Sequence, residues 1–409
     1  MKDEWDAIVI GAGAAGLMAG IHVAERGRRV LVIEKNRKPG VKILMSGGTR
    51  CNITHDTDNR GIVAAYGQPG KFLHSALAAF SVQDTIDFFA AEGVATKVEE
   101  TGKVFPVSNK AADVLAALLR RLERSGATLS LGEPAVELNR DASTFLVETP
   151  ARTLHAKCVI LTSGGQSYPG SGTTGDGYRF AAQFGHRIVP PRPALVPLTT
   201  SLPWVAELRG ITISDVGVRV LEGERVLDQR RGSLLFAHFG LSGPVILDVS
   251  RVVSGHPRPQ DLKLLMDFLP GSRAAELDDW LRDESLASGK KQLAVVMAQR
   301  LPRRLCDACL DQAGLAVDRK AAGLTRGERQ RLVASIKGLT VALTGTLGFK
   351  KAEVTAGGVA LEEVDSRTMQ SKLVPGFYLA GEVLDLDGPI GGYNFQAAWS
   401  TGWLAGASV

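Results

Sequence analysis

The chain has 409 residues, 44% of them hydrophobic and 22% charged, with a formal net charge of +5. That balance excludes a disordered or low-complexity chain and provides material for two to three domains with full cores. No apolar run reaches the roughly 18 residues that a bilayer span requires, and residues 1–5 lead straight into an apolar strand. Neither a signal peptide nor a membrane segment is expected, and a cytoplasmic location is the default.

Residues 6–34 carry the most information. Asp6-Ala7-Ile8-Val9-Ile10 reads as a strand, Gly11-Ala12-Gly13-Ala14-Ala15-Gly16 as a turn entering a helix, and Val30-Leu31-Val32-Ile33-Glu34 as a second strand ending in an acid. Gly11 makes the tight turn, Gly13 lets backbone approach a pyrophosphate, and Gly16 lets the helix lie close to the sheet. The diphosphate then rests on the helix start, at Ala14 and Ala15, where unpaired N–H groups favour an anion. Glu34, 23 positions after Gly11, is placed to accept from both ribose hydroxyls and to repel a 2′-phosphate. The pattern fits NAD or the adenosine half of FAD. An enzyme holding both in separate units would show two such fingerprints; one is present, so the resident dinucleotide is read as FAD, with any nicotinamide meeting it transiently.

Downstream, residues 71–92 and 111–125 read as helical, 96–107 as a hairpin, and 128–131, 135–139 and 144–149 as short strands. A buried strand, Cys158-Val159-Ile160-Leu161, runs into Thr162-Ser163-Gly164-Gly165, where glycines again admit a ligand to the backbone. Composition shifts at Pro190-Pro191-Arg192-Pro193, a stiff connector. Residues 198–249 then alternate as strands, and from 272 to 337 the apolar period lengthens to a helical one. The chain returns through 352–359 and closes with a strand at 376–381 and a terminal helix. The expected fold class is α/β: a Rossmann-like FAD-binding domain, 1–190 with 357–409, interrupted by an insert at 191–356. That insert has a β-barrel-like part (191–270 and 340–356) and a helical part (271–339).

Cys51, Cys158, Cys306 and Cys309 follow no disulfide spacing. Cys306-Asp307-Ala308-Cys309 is a CxxC inside an apparent helix with no preceding strand and without two further ligands nearby, so neither a redox pair nor a metal site is expected. Residues 290–337 hold eleven Lys and Arg against four acids, a local net charge of +7. This reads as a solvated helical face or as a phosphate-contacting surface for RNA.

Two segments are placed to meet a flavin. The run from Leu379 through Gly381-Glu382 to Ala398 ends a strand, turns at Gly391-Gly392 and starts a helix. The first N–H groups of that helix, on Tyr393 and Asn394, would stabilise negative charge at flavin N1–C2=O. Lys42-Ile43-Leu44-Met45-Ser46-Gly47-Gly48-Thr49-Arg50-Cys51-Asn52 reads as a polar, glycine-rich loop over a ligand.

With that loop, the chain resembles the BaiN/RdsA family of NAD(P)/FAD-dependent oxidoreductases, also described as aminoacetone-oxidase-like flavoproteins. The resemblance spans the chain through five segments: 46–52, Gly165-Gln166-Ser167-Tyr168-Pro169 with Thr174-Gly175-Asp176-Gly177-Tyr178, His238-Phe239-Gly240-Leu241-Ser242-Gly243-Pro244, Val354-Thr355-Ala356-Gly357-Gly358-Val359, and 381–394. It implies a soluble FAD enzyme that takes hydride from NAD(P)H and reduces an activated C=C or C=O. The substrate is a small molecule or, as in dihydrouridine formation, large-subunit ribosomal RNA; an oxygen-using amine oxidase is the other alternative. Expected cofactor contacts are Gly11, Gly13, Ala14, Ala15, Gly16, Glu34, Lys35, Lys42, Ser46, Gly47, Gly48, Arg50, Cys51, Asn52, Val136, Thr162, Gly164, Gly165, Gly381, Glu382, Gly391, Gly392, Tyr393 and Asn394. Cys51 reads as a general acid or as a small residue that fits beside the isoalloxazine. Arg50 and Lys42 are expected to hold a phosphate or carbonyl oxygen, Asp176 to cap a helix or bind ligand, and His238 to face the flavin from the insert as a titratable group or to be a satisfied structural histidine; Cys51, Arg50 and His238 are the catalytic candidates. Three positions depart from the family pattern: Thr49 replaces a third glycine, and Ser233 and Ala237 replace Glu and Thr. Thr49 is expected to stiffen the loop, and a substrate contact through 233 and 237 is not carried over.

Overall fold

In a computed structural model, which describes residues 4–409, the strand Glu4–Ile10 lies at the centre of a sheet, with Ala7, Ile8 and Val9 wholly buried. Val30–Glu34 pairs parallel to it on one side and Thr153–Leu161 on the other, and Thr128–Leu131 extends the sheet beyond Val30–Glu34. Covered on both faces, residues 7–10, 30–33 and 159–161 are continuous apolar runs rather than alternating ones. The far side of Thr153–Leu161 is shared: Thr144–Glu148 pairs antiparallel with its first half and Phe377–Leu379 parallel with Val159–Leu161. Ile10, Leu161 and Leu379 therefore stand in register. Gly11, Thr162 and Gly381 thus emerge at one edge, the carboxyl ends where open α/β sheets bind ligands.

These strands belong to one of two compact units, the chain up to Pro193 with Glu353–Val409; the other is Ala194–Ala352. Within the first, the terminal helix Tyr393–Ser408 packs on Ala14–Glu25, and a Cβ at Gly402 or Gly406 would overlap the carbonyls of Ala15 or Ala19. A buried polar chain anchors its start. Gln396 Oε1 accepts from the Thr54 and Thr85 hydroxyls (2.6 and 3.0 Å), its Nε2 donates to Ser400 Oγ (2.9 Å), and Ser400 donates to the Phe80 carbonyl (2.6 Å). The single helical stretch expected over 71–92 is three pieces, Gln68–Leu73, His74–Ala79 and Val82–Ala91, because Ser81 forms a capping box with Asp84 and starts a new helix.

Beyond Val30–Glu34 the sheet edge is tied by Glu133, whose N–H donates to the Glu34 carbonyl (2.9 Å). Its carboxylate receives Arg152 through two bonds of 2.9 Å and the Thr149 hydroxyl at 3.1 Å, and hydrogen bonding from Arg152 draws it down to about 2. A carboxyl depressed in the fold stabilises above its unfolded value and loses that contribution as pH falls through the folded value. Arg152→Met is expected to cost roughly 2 kcal/mol at pH 7 and less than half of that at pH 3. Urea unfolding at both pH values measures this, and an equal loss at both would refute the pairing.

In the second unit, seven strands pair in the order Leu339–Ala342, Leu262–Asp267, Thr212–Glu222, Arg225–Ala237, Gly240–Ser242, Leu198–Thr199 and Gly345–Thr346. Two local expectations are corrected. Residues 244–249, read as strand, open the helix Pro244–Gly255: Gly243 at φ 91° and Pro244 in the first turn start it, and Val245, Ile246, Val249 and Val253 line its buried face. The connector at 190–193 lies in the strand Ile188–Ala194, paired with Val354–Val359; proline's extended backbone suits such an edge. Helices Ala274–Ala287, Leu293–Met297, Arg303–Gln312 and Arg326–Lys337 complete the unit around Leu277, Leu281, Leu305, Leu310, Leu332 and Ile336. Cys306 and Cys309 are core residues there, and burial pushes both thiols up to about 12. Among the described residues, no three His, Cys, Asp or Glu side chains gather as a metal site, and no helix is long and apolar enough to cross a membrane.

Candidate functional site

The first helix, Ala14–Glu25, begins at Gly13, where no side chain caps it and where a Cβ would meet no protein atom within 4 Å. Its leading N–H groups thus open onto space at the positive end of the helix dipole, an arrangement that accepts a phosphate. The turn before it is tightly built: Thr162 donates its hydroxyl to the carbonyls of Ile10 and Gly11 (both 3.0 Å), and a Cβ on Gly16 would overlap the Gly11 carbonyl. Glu34 is held beside the turn, Oε2 accepting from the Ala12 N–H (2.9 Å) and Oε1 from the Asn36 N–H (2.8 Å), with lone pairs left for hydroxyl donors. Val136, exposed, lies just ahead of Glu137–Asp141, and its carbonyl accepts from Arg179 at 2.7 Å. Lys35 pairs with Asp176 (2.5 Å). Asp176 is the first residue of Asp176–Gln183, whose cap is Gly175, so of its two expected roles the cap is not filled, and its carboxylate pairs with Lys35.

The segment expected as a loop over 42–52 begins as a helix. Val41–Thr49 is regular through Met45 and breaks at Ser46 (ψ 152°), because Gly47, Gly48 and Thr49 follow with φ of 55°, 66° and 68°. Ser46 Oγ donates to the Ile43 carbonyl at 2.8 Å. Cys51 is left-handed too (φ 61°), wholly buried, and burial pushes its thiol up to about 12. Thr49, β-branched, pays for this conformation where glycine would not. Thr49→Gly is expected to raise stability by about 1 kcal/mol, read from the urea midpoint; a loss would show that the hydroxyl bond to Gly48 O (2.6 Å) outweighs the strain. Arg50, expected on a phosphate or carbonyl oxygen, is instead tied to Glu99 (2.7 Å) with its guanidinium 3.9 Å above the Phe105 ring. Next to it, Asn52 carries a buried Oδ1 with no partner among the described residues.

Lys42 is likewise committed. Its ammonium donates to Glu382 Oε2 (2.5 Å) and Ser167 Oγ (2.8 Å), while Glu382 Oε1 accepts from Ser167 Oγ (2.8 Å) and the Thr355 N–H (2.9 Å). The Thr355 hydroxyl takes bonds from the N–H groups of Gln166 and Ser167, and a Cβ on Gly165 would overlap it. Gly164, at φ 73°, completes that turn. Ser167 and Thr355 lie in segments that carry the family resemblance, yet neither was singled out; nor were Ser163 and Tyr178, whose hydroxyls are buried without a partner.

At the other flavin-directed segment, Gly392 (φ 96°) begins the terminal helix with no side-chain cap, and a Cβ there would overlap Thr54 backbone. Gly391 is pinned through its carbonyl to His55 Nδ1 (3.0 Å), and the His55 ring stacks on Tyr393 at 4.5 Å. Asn394 spends its amide on the loop before it, bonding Gly388 N–H (2.8 Å) and Gly388 O (3.0 Å). Gly381 leads into Glu382 and packs over Ala15. His238 lies in the second unit, exposed at the turn between Arg225–Ala237 and Gly240–Ser242, edge-on to Phe239 at 5.0 Å.

FAD asks for phosphate donors, a ribose acceptor and polar partners for its ring system. The uncapped helix at Gly13, Glu34 beside it, and the orphaned Asn52 Oδ1 and Ser163 Oγ fit those demands. Residues 5–408 match the HI0933-like protein Rossmann domain family. The chain is 36% identical over 98% of its length, and 97% of the other's, to the ribosomal RNA dihydrouridine synthase of Escherichia coli (strain K12). It is 31% identical over 98% of both chains to the 3-dehydro-bile acid delta(4,6)-reductase of Clostridium scindens (strain ATCC 35704 / DSM 5676 / VPI 13733 / 19). In three dimensions it resembles 3-ketosteroid delta1-dehydrogenase from Sterolibacterium denitrificans, with a TM-score of 0.53, 14% identity and 99% of each chain covered, a likeness of fold. A dinucleotide turn, an uncapped second helix start and a full-length match to the same group of proteins converge: this chain belongs to the HI0933-like family and is an FAD-dependent oxidoreductase.

Proposed function

We propose that this enzyme reduces a C=C bond conjugated to a carbonyl, with NAD(P)H as electron donor, and that its substrate is a uridine of large-subunit ribosomal RNA. The observation that carries the reaction class is the full-length likeness to two proteins named for reduction of such a bond, a dihydrouridine synthase and a delta(4,6)-reductase. Uracil is enone-like, its C5=C6 bond conjugated to C4=O, so one chemistry serves both. Bound FAD would supply the hydride relay, from NAD(P)H to the β-carbon of the acceptor, while the α-carbon takes a proton. A cytoplasmic location accords with both NAD(P)H and ribosomal RNA.

The chain's own part is to hold and shield. Gly11–Gly16 and Glu34 would bind the adenosine diphosphate half, and the 46–52 and 391–394 segments would flank the ring system. Lys42, paired with Glu382, would act as a positioning residue rather than a free anion clamp. Burial pushes the Cys51 thiol up to about 12, which favours the neutral form, as proton source at Sγ or as a packing residue. Cys51→Ala separates these: a tenfold or greater fall in turnover with FAD retained makes it the proton source, and unchanged turnover makes it packing.

The functional test is anaerobic reduction of the purified flavoprotein by NADH or NADPH, followed by mixing with air-saturated buffer or with unmodified large-subunit ribosomal RNA transcript. Slow reoxidation in air, with dihydrouridine appearing in the transcript, is expected. Fast, catalytically competent reoxidation by oxygen would mean an oxidase and overturn the reading; slow reoxidation with unaltered RNA would move the substrate to a small enone.

A further inference from the structure

The second unit sorts its eleven cations between 290 and 337 into those spent on the fold and those left over. Arg303 pairs with Asp307 (3.0 Å), Arg319 with Glu328 (3.2 Å), Arg329 with Asp278 (3.1 Å) and Lys337 with Asp267 (2.7 Å). Arg304 donates to the carbonyls of Glu207 and Arg209, Arg331 to that of Ala313, and Arg300 lies 4.3 Å over the Trp280 ring. Lys290, Lys291, Lys320 and Arg326 remain, all exposed and with no acid partner among the described residues.

The backbone gathers these four. Leu293 N–H bonds to Arg319 O (2.7 Å), Ala321 N–H to Lys291 O (2.9 Å) and Ala322 N–H to Gly289 O (2.9 Å), with Gln292 facing Lys320 in a β-bridge. Arg319 then ties this loop to the next helix, donating to Lys320 O (2.7 Å), Ala322 O (2.9 Å) and Gly323 O (2.9 Å) as well as to Glu328. Arg326, first residue of that helix, sets a cation against the positive end of the dipole. Three lysines on two facing segments repel one another. This placement works against the fold and suits a polyanion. Asp318 is an exposed acid beside them, so the cluster stays positive. Leu286, 80% exposed, and Val317 flank the lysines along the chain and add apolar surface of the kind on which nucleobases lie.

We propose that Lys290, Lys291, Lys320 and Arg326 form a phosphate-contacting surface through which the inserted unit holds RNA, with Arg303, Arg304, Arg319, Arg329 and Arg331 acting as its structural frame. This rests on the uridine reading given above and names the contact that reading requires. Phosphate contacts to single-stranded RNA each contribute about 0.7 to the salt slope of binding.

The test compares the parent holoenzyme with K290Q/K291Q/K320Q/R326Q and with a control, R209Q/R225Q/K263Q/K350Q, that removes the same charge from exposed positions elsewhere on the unit. The probe is a fluorescent large-subunit ribosomal RNA fragment titrated at several salt concentrations. The first variant should bind roughly tenfold or more weakly at 0.1 M salt, with a slope shallower by about 3, while its FAD content and reduction by NAD(P)H stay at the parent level and the control binds as the parent does. Undiminished binding, or equal loss in both variants, overturns the surface. Dihydrouridine formed by a parent whose binding ignores these four residues leaves the uridine reading standing and the surface wrong; RNA held through them without dihydrouridine does the reverse. A parent that does neither sinks both.

Discussion

Gly13→Ala should leave the apoprotein folded and strip it of FAD. Gly13 has φ −84° and ψ −167°, an ordinary extended conformation open to alanine, and a Cβ there meets no protein atom within 4 Å. Stability should therefore stay within about 0.5 kcal/mol of the parent, with any gain coming from a less flexible unfolded chain. The space that Cβ would enter lies over the uncapped helix start, where the diphosphate is expected, so FAD affinity should fall roughly a hundredfold, about 2.7 kcal/mol. Gly16→Ala makes the contrast. Its Cβ would overlap the Gly11 carbonyl and press on Thr162 Oγ1, so that variant should lose stability and cofactor together. Urea midpoints of the apoproteins and FAD titration by flavin fluorescence distinguish the two. A Gly13→Ala protein that keeps FAD would remove the diphosphate from this turn.

The contrast shows what a sequence can carry. Glycine at 11, 13 and 16 announces a dinucleotide turn because the spacing itself is the signal, although the demands differ: Gly16 is pressed by the Gly11 carbonyl five positions back, Gly11 by Thr162 of a distant strand, and Gly13 by no protein atom. The buried runs Ala7-Ile8-Val9-Ile10 and Val159-Ile160-Leu161 announce parallel strands for the same local reason. Where two local patterns coincide, the reading fails: Val245, Ile246 and Val249 suit a buried strand as well as a buried helix face, and the preceding Gly243-Pro244 was the sign that favoured a helix. Charge is less legible still. Arg329 and Arg331 looked as available as Lys290 and Lys291, because nothing nearby in sequence announces Asp278 or the Ala313 carbonyl as their partners. Likewise Arg50, read as a ligand clamp, is drawn to Glu99, 49 positions on, and to the Phe105 ring. Left-handed backbone at Thr49 and Cys51 follows from the two glycines before them, but only in the folded loop is it visible that non-glycine residues bear the strain.

The longest-range element of the site also sets the largest stability effect. Glu382 and Lys42 stand 340 positions apart, and with Ser167 and Thr355 they join four segments of the first unit at one point. Glu382→Ala would leave a half-buried ammonium without its carboxylate and the Thr355 N–H without an acceptor. Breaking a fully buried pair this way costs 3–5 kcal/mol; since Lys42 and Glu382 are 27% and 20% exposed, about 2–3 kcal/mol is expected. Glu382→Gln keeps one oxygen to accept from Ser167 and Thr355 but sets an NH2 group in place of the oxygen that accepts from Lys42, so about 1–2 kcal/mol should be lost. In a cycle with Lys42→Met, the coupling energy of Lys42 and Glu382 should reach 1–2 kcal/mol, because the second substitution removes a group the first has already orphaned. If the network also positions the flavin, FAD affinity and the flavin midpoint potential move in Glu382→Gln although the protein remains folded at the temperature of the assay. An unchanged potential with a lowered urea midpoint would make it structural bracing alone, and additive single losses would show that Lys42 and Glu382 do not act as a pair.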